Sequence, residues 1–321
     1  MDYDGYVVRE NGILLRGVRN FRPKHIFECG QCFRWEKVAE ERYLGVVRGR
    51  VLEVMPQGED IFLRNITEQD FHEVFEDYFD LKRDYGVVKA KLSEDPVLRQ
   101  SVEYGYGIRI LNQEPFETLI SFIISSNNGI PRIKGAVKRI AEAYGDPILY
   151  EGKTYHAFPT PRQLREASEE DLYALGVGYR AKYIRDTTKA VYEAEWLRNE
   201  GARRELTGKE KEILKWNLDE IGELPHELCY EALQCFSGVG PKVSDCIMLF
   251  SMKKQEAFPV DVWVKKAMSH FYKAPPMSLP KTRAYGLEKF GGLAGFAQQY
   301  LFYNARENRV KMEDAELNDE V

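Results

Sequence analysis

Over the first 65 residues the apolar positions recur every second residue. Val7-Val8 and Ile13-Leu14-Leu15 flank Asn11-Gly12, a pattern that predicts a hairpin closed by a type I′ turn. Phe33-Arg34-Trp35 alternates in the same way. Runs at 43–47, 51–55 and 61–63 follow, parted only by Arg48-Gly49-Arg50 and Pro56-Gln57-Gly58. Connections this short predict an antiparallel meander with one buried face. Pro23–Phe27 reads as a short helix within it. At Thr67 the period lengthens. Thr67 and Asp70 form a capping box ahead of Phe71, Val74, Phe75, Tyr78 and Phe79, which share one helical face. A further helix starts at Asp95-Pro96. The segment Tyr104-Gly105-Tyr106-Gly107 breaks the pattern, so a first domain is expected over 1–105.

Beyond it, 106–311 reads as all helix. The run 115–125 is almost wholly apolar and so predicted central. Ser126-Asn127-Asn128-Gly129 ends it, and 130–144 resumes as an amphipathic helix. Ser168 with Asp171 makes another capping box. Helices are predicted over 179–196, 209–221 and 225–236, and two more follow Gly240 and Asp261. Pro275-Pro276 to Pro280 reads as a linker before the last helices, which Gly291-Gly292 interrupts. The expected fold class is α+β, an antiparallel sheet domain followed by an all-helical domain.

Composition narrows the function classes. The chain has 321 residues, 44% hydrophobic and 30% charged, which is ordinary globular protein with room for sizeable cores. No apolar run reaches membrane-spanning length, and the acidic N-terminus lacks a signal-peptide core. These features lead us to expect a cytosolic chain, associated with the nucleoid in a prokaryote or nuclear in a eukaryote, and a monomer. The five cysteines are an odd number and argue for reduced thiols. Cys29-x-x-Cys32 has no second pair at zinc spacing, so packing is the simpler reading, and neither metal nor cofactor is expected. Net charge is −5, but residues 312–321 carry five acids and no base. Without this tail, expected to be disordered, the chain is neutral. A neutral body binds nucleic acid when its bases cluster on one face.

The chemistry gathers in 233–270. Gly238-Val239-Gly240 precedes Pro241, a residue suited to the first helical position, and Lys242 falls in the first turn. A cation is disfavoured at that end of a helix dipole, and an uncharged amine is a nucleophile. The alternative is a solvated surface lysine. Asp261 stands before Val262, Val264, Ala267 and Met268 as an N-cap. Gly176-Val177-Gly178 precedes Tyr179-Arg180 as Gly238–Gly240 precedes Pro241-Lys242. Backbone N–H groups at such helix mouths suit a phosphate diester, although an ordinary tight turn explains the first copy equally well.

This arrangement resembles the helix-hairpin-helix DNA glycosylases, and more narrowly the eukaryotic-type 8-oxoguanine DNA glycosylase/lyase family. The likeness extends to Cys29-Gly30-Gln31-Cys32-Phe33-Arg34-Trp35, 122–128, 175–183 and 296–302, so it covers both predicted domains in order. It implies a bifunctional repair enzyme that flips 8-oxoguanine out of double-stranded DNA, preferably opposite cytosine, excises it through a lysine Schiff base and cleaves the strand by β-elimination. An enzyme that acts on a base within a duplex must take that base out of the stack. The resemblance gives Lys242 the nucleophile's role and Asp261 that of a carboxylate opposing the sugar's developing charge. It makes Phe302 and Cys246 the pocket walls and Gln298 the reader of the base edge, and it has the Gly30 carbonyl accept the N7–H found in the oxidised base and not in guanine. Asn127 would fill the gap, Arg132 and Arg180 would read cytosine, and Tyr179 would wedge beside it. Gly238, Val239 and Gly240 would grip phosphate. Taken singly, Asp261 also reads as a plain cap, Cys246 as core, and Arg132 and Tyr179 as surface.

Three positions depart from the family pattern. Trp263 stands where a histidine is usual, Gly129 replaces the third asparagine, and Cys32 replaces a serine. Two rival functions remain at this level. A glycosylase for alkylated bases would have no need of an N7–H acceptor at Gly30, and a non-catalytic DNA-binding module would gain little from Lys242.

Overall fold

The computed structural model describes residues 1–201, 203–272 and 277–308. The acidic tail, residues 309–311 and Pro275-Pro276 of the expected linker lie outside these. Six strands, β1 (Gly5–Arg9), β2 (Gly12–Arg16), β3 (Trp35–Ala39), β4 (Arg42–Val47), β5 (Arg50–Gln57) and β6 (Asp60–Arg64), form one antiparallel sheet in the order β1-β2-β6-β5-β4-β3. The β1–β2 hairpin is closed one residue earlier than expected. Arg9 pairs with Gly12, so Glu10-Asn11 makes the turn, and neither residue has a positive φ. Gly12 belongs to the strand, where a Cβ would lie 2.1 Å from the Leu63 carbonyl oxygen of β6. Close approach of two backbones, not turn geometry, fixes that glycine.

The inner face of the sheet carries Ile13, Leu15, Leu52, Val54, Ile61 and Leu63. It packs on Phe27, Trp35, Phe71, Phe75 and Phe79. Phe27 stacks on Trp35 with centroids 3.9 Å apart. The outer face is covered too, and here the all-helical expectation is corrected. Residues 147–156 form a hairpin of β7 (Pro147–Tyr150) and β8 (Lys153–His156) inside the helical domain. Ile148, Tyr150 and Tyr155 pack on Leu44, Val46 and Val51, which explains why β4 and the start of β5 read as apolar on both faces.

The helices begin where their caps predict. Thr67 and Ser168 form capping boxes with Asp70 and Asp171, and Asp95 accepts from the N–H groups of Val97 and Leu98. The apolar helix Pro115–Ser125 packs against Pro241–Ser251 at the centre of the second core. Tyr85, Val88, Leu92, Leu98 and Val102 also belong to that core. The helices of residues 85–104 thus pack with the helical domain, although a boundary at 105 assigns them to the first. The predicted helix 209–221 is broken into Gly208–Ile213 and Leu218–Glu223 around a tight turn. The chain's last described helix, Ala294–Glu307, is buried along most of its length. No helix among the described residues is long and apolar enough to cross a membrane.

Candidate nucleic-acid interface and active site

Lys242 is the second residue of the helix Pro241–Ser251, whose cap, Gly240, has no side chain to satisfy the first N–H groups. The lysine is half-buried, and its Nζ lies 5.1 Å from the centre of the Phe122 ring. Phe122 stacks on Phe250 (5.6 Å) and meets Phe33 edge-on (5.5 Å). The amine therefore rests on an aromatic floor that joins the two domains. Cys246, one turn on, is buried; burial pushes its thiol up to about 12, against the pull of nearby Lys242. At this value the sulfur stays a neutral, polarisable surface.

Asp261 caps the helix Val262–Tyr272. Its Oδ1 accepts from the Val264 N–H at 2.8 Å, and its carbonyl accepts from Lys265 at 2.9 Å. The carboxylate makes no ion pair among the described residues, and Oδ2 has no hydrogen-bond partner there. The cap uses one oxygen and leaves the other. Trp263 follows as a partly exposed side chain.

The loop after the helix Pro23–Phe27 is held from both domains. Gln31 is fully buried. Its Nε2 donates to the carbonyls of Ile26 (3.0 Å) and Arg109 (2.7 Å), and its Oε1 accepts from Leu111 (2.9 Å). Gln299 Nε2 donates to the Cys29 carbonyl at 2.9 Å, and Gln113 Nε2 donates to the Gln31 carbonyl at 2.7 Å. Of these three successive carbonyls only that of Gly30, between them, has no donor among the described residues. Gly30 has φ +85°, and a Cβ there would lie 3.3 Å from the Phe302 ring and 3.3 Å from Arg306 Nη1. Gln298, one turn before Phe302, is buried, and its Oε1 has no hydrogen-bond partner among the described residues. Cys29 and Cys32 are free, buried thiols held in their neutral form by desolvation.

The two glycine hairpins open the helices that follow them, Gly238–Gly240 directly before Pro241-Lys242. Gly176 and Gly238 share φ +81°, so the echo in the sequence is an echo in conformation. It stops at the second glycine. Gly178 has φ +62°, whereas Gly240 is extended at φ −102° because it caps an α-helix directly. Gly238 sits on Tyr183, where a Cβ would come within 2.8 Å of the side chain, and Thr187 Oγ1 donates to the Ser237 carbonyl at 3.0 Å. The hairpins therefore touch through the helix Ala181–Gly201. Val239 does not fit its expected part. Its side chain is buried, and its N–H donates to the Phe236 carbonyl at 3.1 Å. Gly238 and Gly240 keep their N–H groups unengaged among the described residues.

Asn127 is exposed at φ +47° on the turn after the central helix. Arg132 is exposed one turn along the next helix, and Tyr179 is 57% exposed. Arg180 departs from expectation. Its side chain is buried, its Nε donates to the Ser126 carbonyl (3.0 Å), and its Nη atoms donate to Ser126, Asn127 (3.1 Å) and Val177 (3.2 Å). Its fork braces the Asn127 turn and is not presented to a base. Arg139 does the same for the first hairpin, donating to the Leu175 carbonyl at 2.7 Å. Phe122, Arg139 and Arg306 were missed as site residues. Their spacing carries no signal, since each acts on an element distant in sequence.

Two family models match consecutive parts of the chain. The N-terminal domain of 8-oxoguanine DNA glycosylase matches residues 13–119, and the HhH-GPD superfamily base excision DNA repair protein matches residues 120–290. The chain belongs to the HhH-GPD superfamily. Among solved HhH-GPD relatives, the 8-oxoguanine glycosylase/lyase of Clostridium acetobutylicum, in complex with dsDNA containing cytosine opposite 8-oxoG, is 49% identical with a TM-score of 0.89. The match covers 97% of this chain and 100% of that one. The "Probable N-glycosylase/DNA lyase" of Methanothermobacter thermautotrophicus is 32% identical over 75% of this chain and 77% of its own. The N-glycosylase/DNA lyase OGG1 of Arabidopsis thaliana is 29% identical over 86% and 75%. Both parts of this HhH-GPD protein, sheet domain and helical domain, thus have counterparts in the same relatives.

Proposed function

We propose that the chain is a DNA N-glycosylase and abasic-site lyase that removes 8-oxoguanine from duplex DNA, preferentially opposite cytosine. The observation that carries the substrate is the Gly30 carbonyl. It is unengaged, among the described residues, between two anchored neighbours, on a glycine whose Cβ would lie 3.3 Å from the Phe302 ring, with the buried Oε1 of Gln298 one turn before Phe302 on its helix. An acceptor placed at N7 distinguishes the oxidised purine, whose N7 carries hydrogen, from guanine, whose N7 repels it. Cys246 and Phe302 supply the polarisable and aromatic walls.

The chemistry follows from Lys242. Its free amine attacks C1′ of the flipped nucleotide as the C1′–N9 bond breaks, and the base leaves with its bonding pair and then takes a proton. The amine loses a proton, the C1′–O4′ bond breaks with its pair on O4′, which takes a proton, and the opened product is an iminium. That group acidifies C2′, whose proton is lost as the C3′–O bond breaks, so the strand is cut by β-elimination. Oδ2 of Asp261 faces the charge that develops on the sugar, while Oδ1 stays fixed by its cap. Gly238 and Gly240 offer N–H groups to a backbone phosphate. Asn127 enters the gap left by the base, Tyr179 wedges beside it, and Arg132, whose fork has no other partner among the described residues, reads the acceptor edge of cytosine. Arg180 holds the Asn127 turn in place for this insertion.

Borohydride trapping on a duplex carrying 8-oxoguanine opposite cytosine tests this assignment. The native chain should form a covalent complex and Lys242→Gln should not; equal trapping by both would remove Lys242 from the mechanism. Asp261→Asn should slow excision by about a hundredfold or more, and full activity there would reduce Asp261 to a cap.

A further inference from the structure

One charged group at the Gly30 loop has no part in the reaction as described. Arg306 lies one turn beyond Phe302. Its Nη2 donates to the Glu28 carbonyl, and Nε and Nη2 donate to Glu307 at 3.1 and 2.9 Å. Its Nη1 is buried and has no hydrogen-bond partner among the described residues. That nitrogen and the Phe302 ring edge are both 3.3 Å from where a Gly30 side chain would begin. The guanidinium carbon lies 5.3 Å from the Phe302 centroid and 5.8 Å from that of Tyr303, so the fork is boxed between rings. A brace for the loop accounts for Nη2 and leaves Nη1 unexplained. Buried donors are rarely left without a partner, because desolvating one without replacement is costly.

We propose that Arg306 is a specificity-determining residue that donates a hydrogen bond from Nη1 to the C8 oxygen of 8-oxoguanine. The proposal rests on the substrate reading above and deepens it. Oxidation alters guanine at two adjacent atoms: N7 gains a hydrogen and C8 gains a carbonyl oxygen. A base whose N7–H meets the Gly30 carbonyl brings O8 next to the same residue, and Nη1 lies 3.3 Å from where a Gly30 side chain would begin. Arginine offers donors only, so it matches O8 and has nothing to bond at the C8–H of guanine. Guanine would leave a buried guanidinium N–H unpaired as well as setting N7 against a carbonyl. The pocket thus reads both marks of oxidation, one with an acceptor and one with a donor. Sites built to hydrogen-bond a polar group discriminate strongly against analogues that lack it.

Binding to three uncleavable duplexes tests this, each with cytosine opposite and a 2′-fluoro sugar. The first carries 8-oxoguanine. The second carries carbon-linked 9-deazaguanine, which has the N7–H but no C8 oxygen. The third carries guanine. The native chain should bind the first about ten- to a hundredfold tighter than the second, the worth of one charge-assisted hydrogen bond. It should also bind the second more tightly than the third. Arg306→Met and Arg306→Lys should each bring the first two affinities to within about threefold of one another, by the loss of that bond. Equal native affinity for the first two duplexes would overturn the proposal without any variant, which covers a variant that fails to fold. A variant that weakens both equally would reduce Arg306 to a brace. If the native chain does not distinguish any of the three duplexes, the substrate reading itself fails.

Discussion

Replacing Gly30 by alanine perturbs two things that can be measured apart. The first is backbone strain. At φ +85° an L-residue pays roughly 1–2 kcal/mol. The second is local. The new methyl would stand 3.3 Å from both the Phe302 ring and Arg306 Nη1, closer than such contacts normally run, so Phe302 must move outward or the carbonyl must rotate. Either change weakens the proposed N7–H contact. Losing a buried hydrogen bond to the base costs on the order of 1–3 kcal/mol, or about 10- to 100-fold in rate. Gly49→Ala is the matched control. Gly49 has φ +75° in the β4–β5 turn, with nothing within 4 Å of a Cβ, so it carries the strain without the pocket. Both variants should melt lower by similar amounts, about 2–4 °C for each kcal/mol in a domain of this size. Single-turnover excision of 8-oxoguanine opposite cytosine should fall only in Gly30→Ala. If both variants excise at equal rates, Gly30 is a turn residue and the argument from its carbonyl collapses.

Three further outcomes are expected. Arg180→Met should lower excision opposite cytosine and opposite adenine by the same factor and cost about 1–2 kcal/mol by urea unfolding, since half-exposed carbonyls lose a charged donor; Arg132→Met should instead reduce only the preference for cytosine, and a selective loss in Arg180→Met would return that residue to base reading. Gly238→Ala should weaken duplex binding about tenfold or more, measured by titration, because its methyl would collide with Tyr183 at 2.8 Å and shift the hairpin; unchanged affinity would remove Gly238 from the phosphate grip. Burial, with Arg22 and Lys24 nearby, pushes His25 down to about 4, and its Nδ1 accepts from the Gly107 N–H at 3.1 Å. Its folded value is below its unfolded one, so this stability is present above about pH 6.5 and lost as pH falls toward 4, up to about 2–3 kcal/mol. Urea midpoints of His25→Gln should show a shallower fall across that window, and parallel curves for both chains would contradict the reading.

The elements with local signals were legible in the sequence. Capping boxes at Thr67 and Ser168 and the proline starts at Pro115 and Pro241 depend on neighbours within four residues, and the helices begin there. The β7–β8 hairpin was not legible. Its four-residue strands lie among helices, and they exist because β4 and β5 have a second apolar face to cover. Gly12 misled because glycine has two uses, and close approach to β6 won over the turn. In the site, the Gly30 carbonyl, Gln298 Oε1 and Asp261 Oδ2 have no partner among the described residues, whereas the side chain of Arg180 and the N–H of Val239 are engaged within the protein. Their donors meet carbonyls of Ser126, Asn127 and Phe236, partners that a linear motif does not name. Arg306 was invisible for the same reason: only the folded chain sets it beside Gly30.

The Gly30 loop is tied to the last described helix by Gln299 and Arg306, more than 260 residues away along the chain. A ribosome completes Lys242, Cys246 and Asp261 well before it adds Gln298, Phe302 and Arg306. The Gly30 loop therefore lacks its Gln299 and Arg306 ties until the helix Ala294–Glu307 has been added to the growing polypeptide, and clipping of that helix would release the loop again.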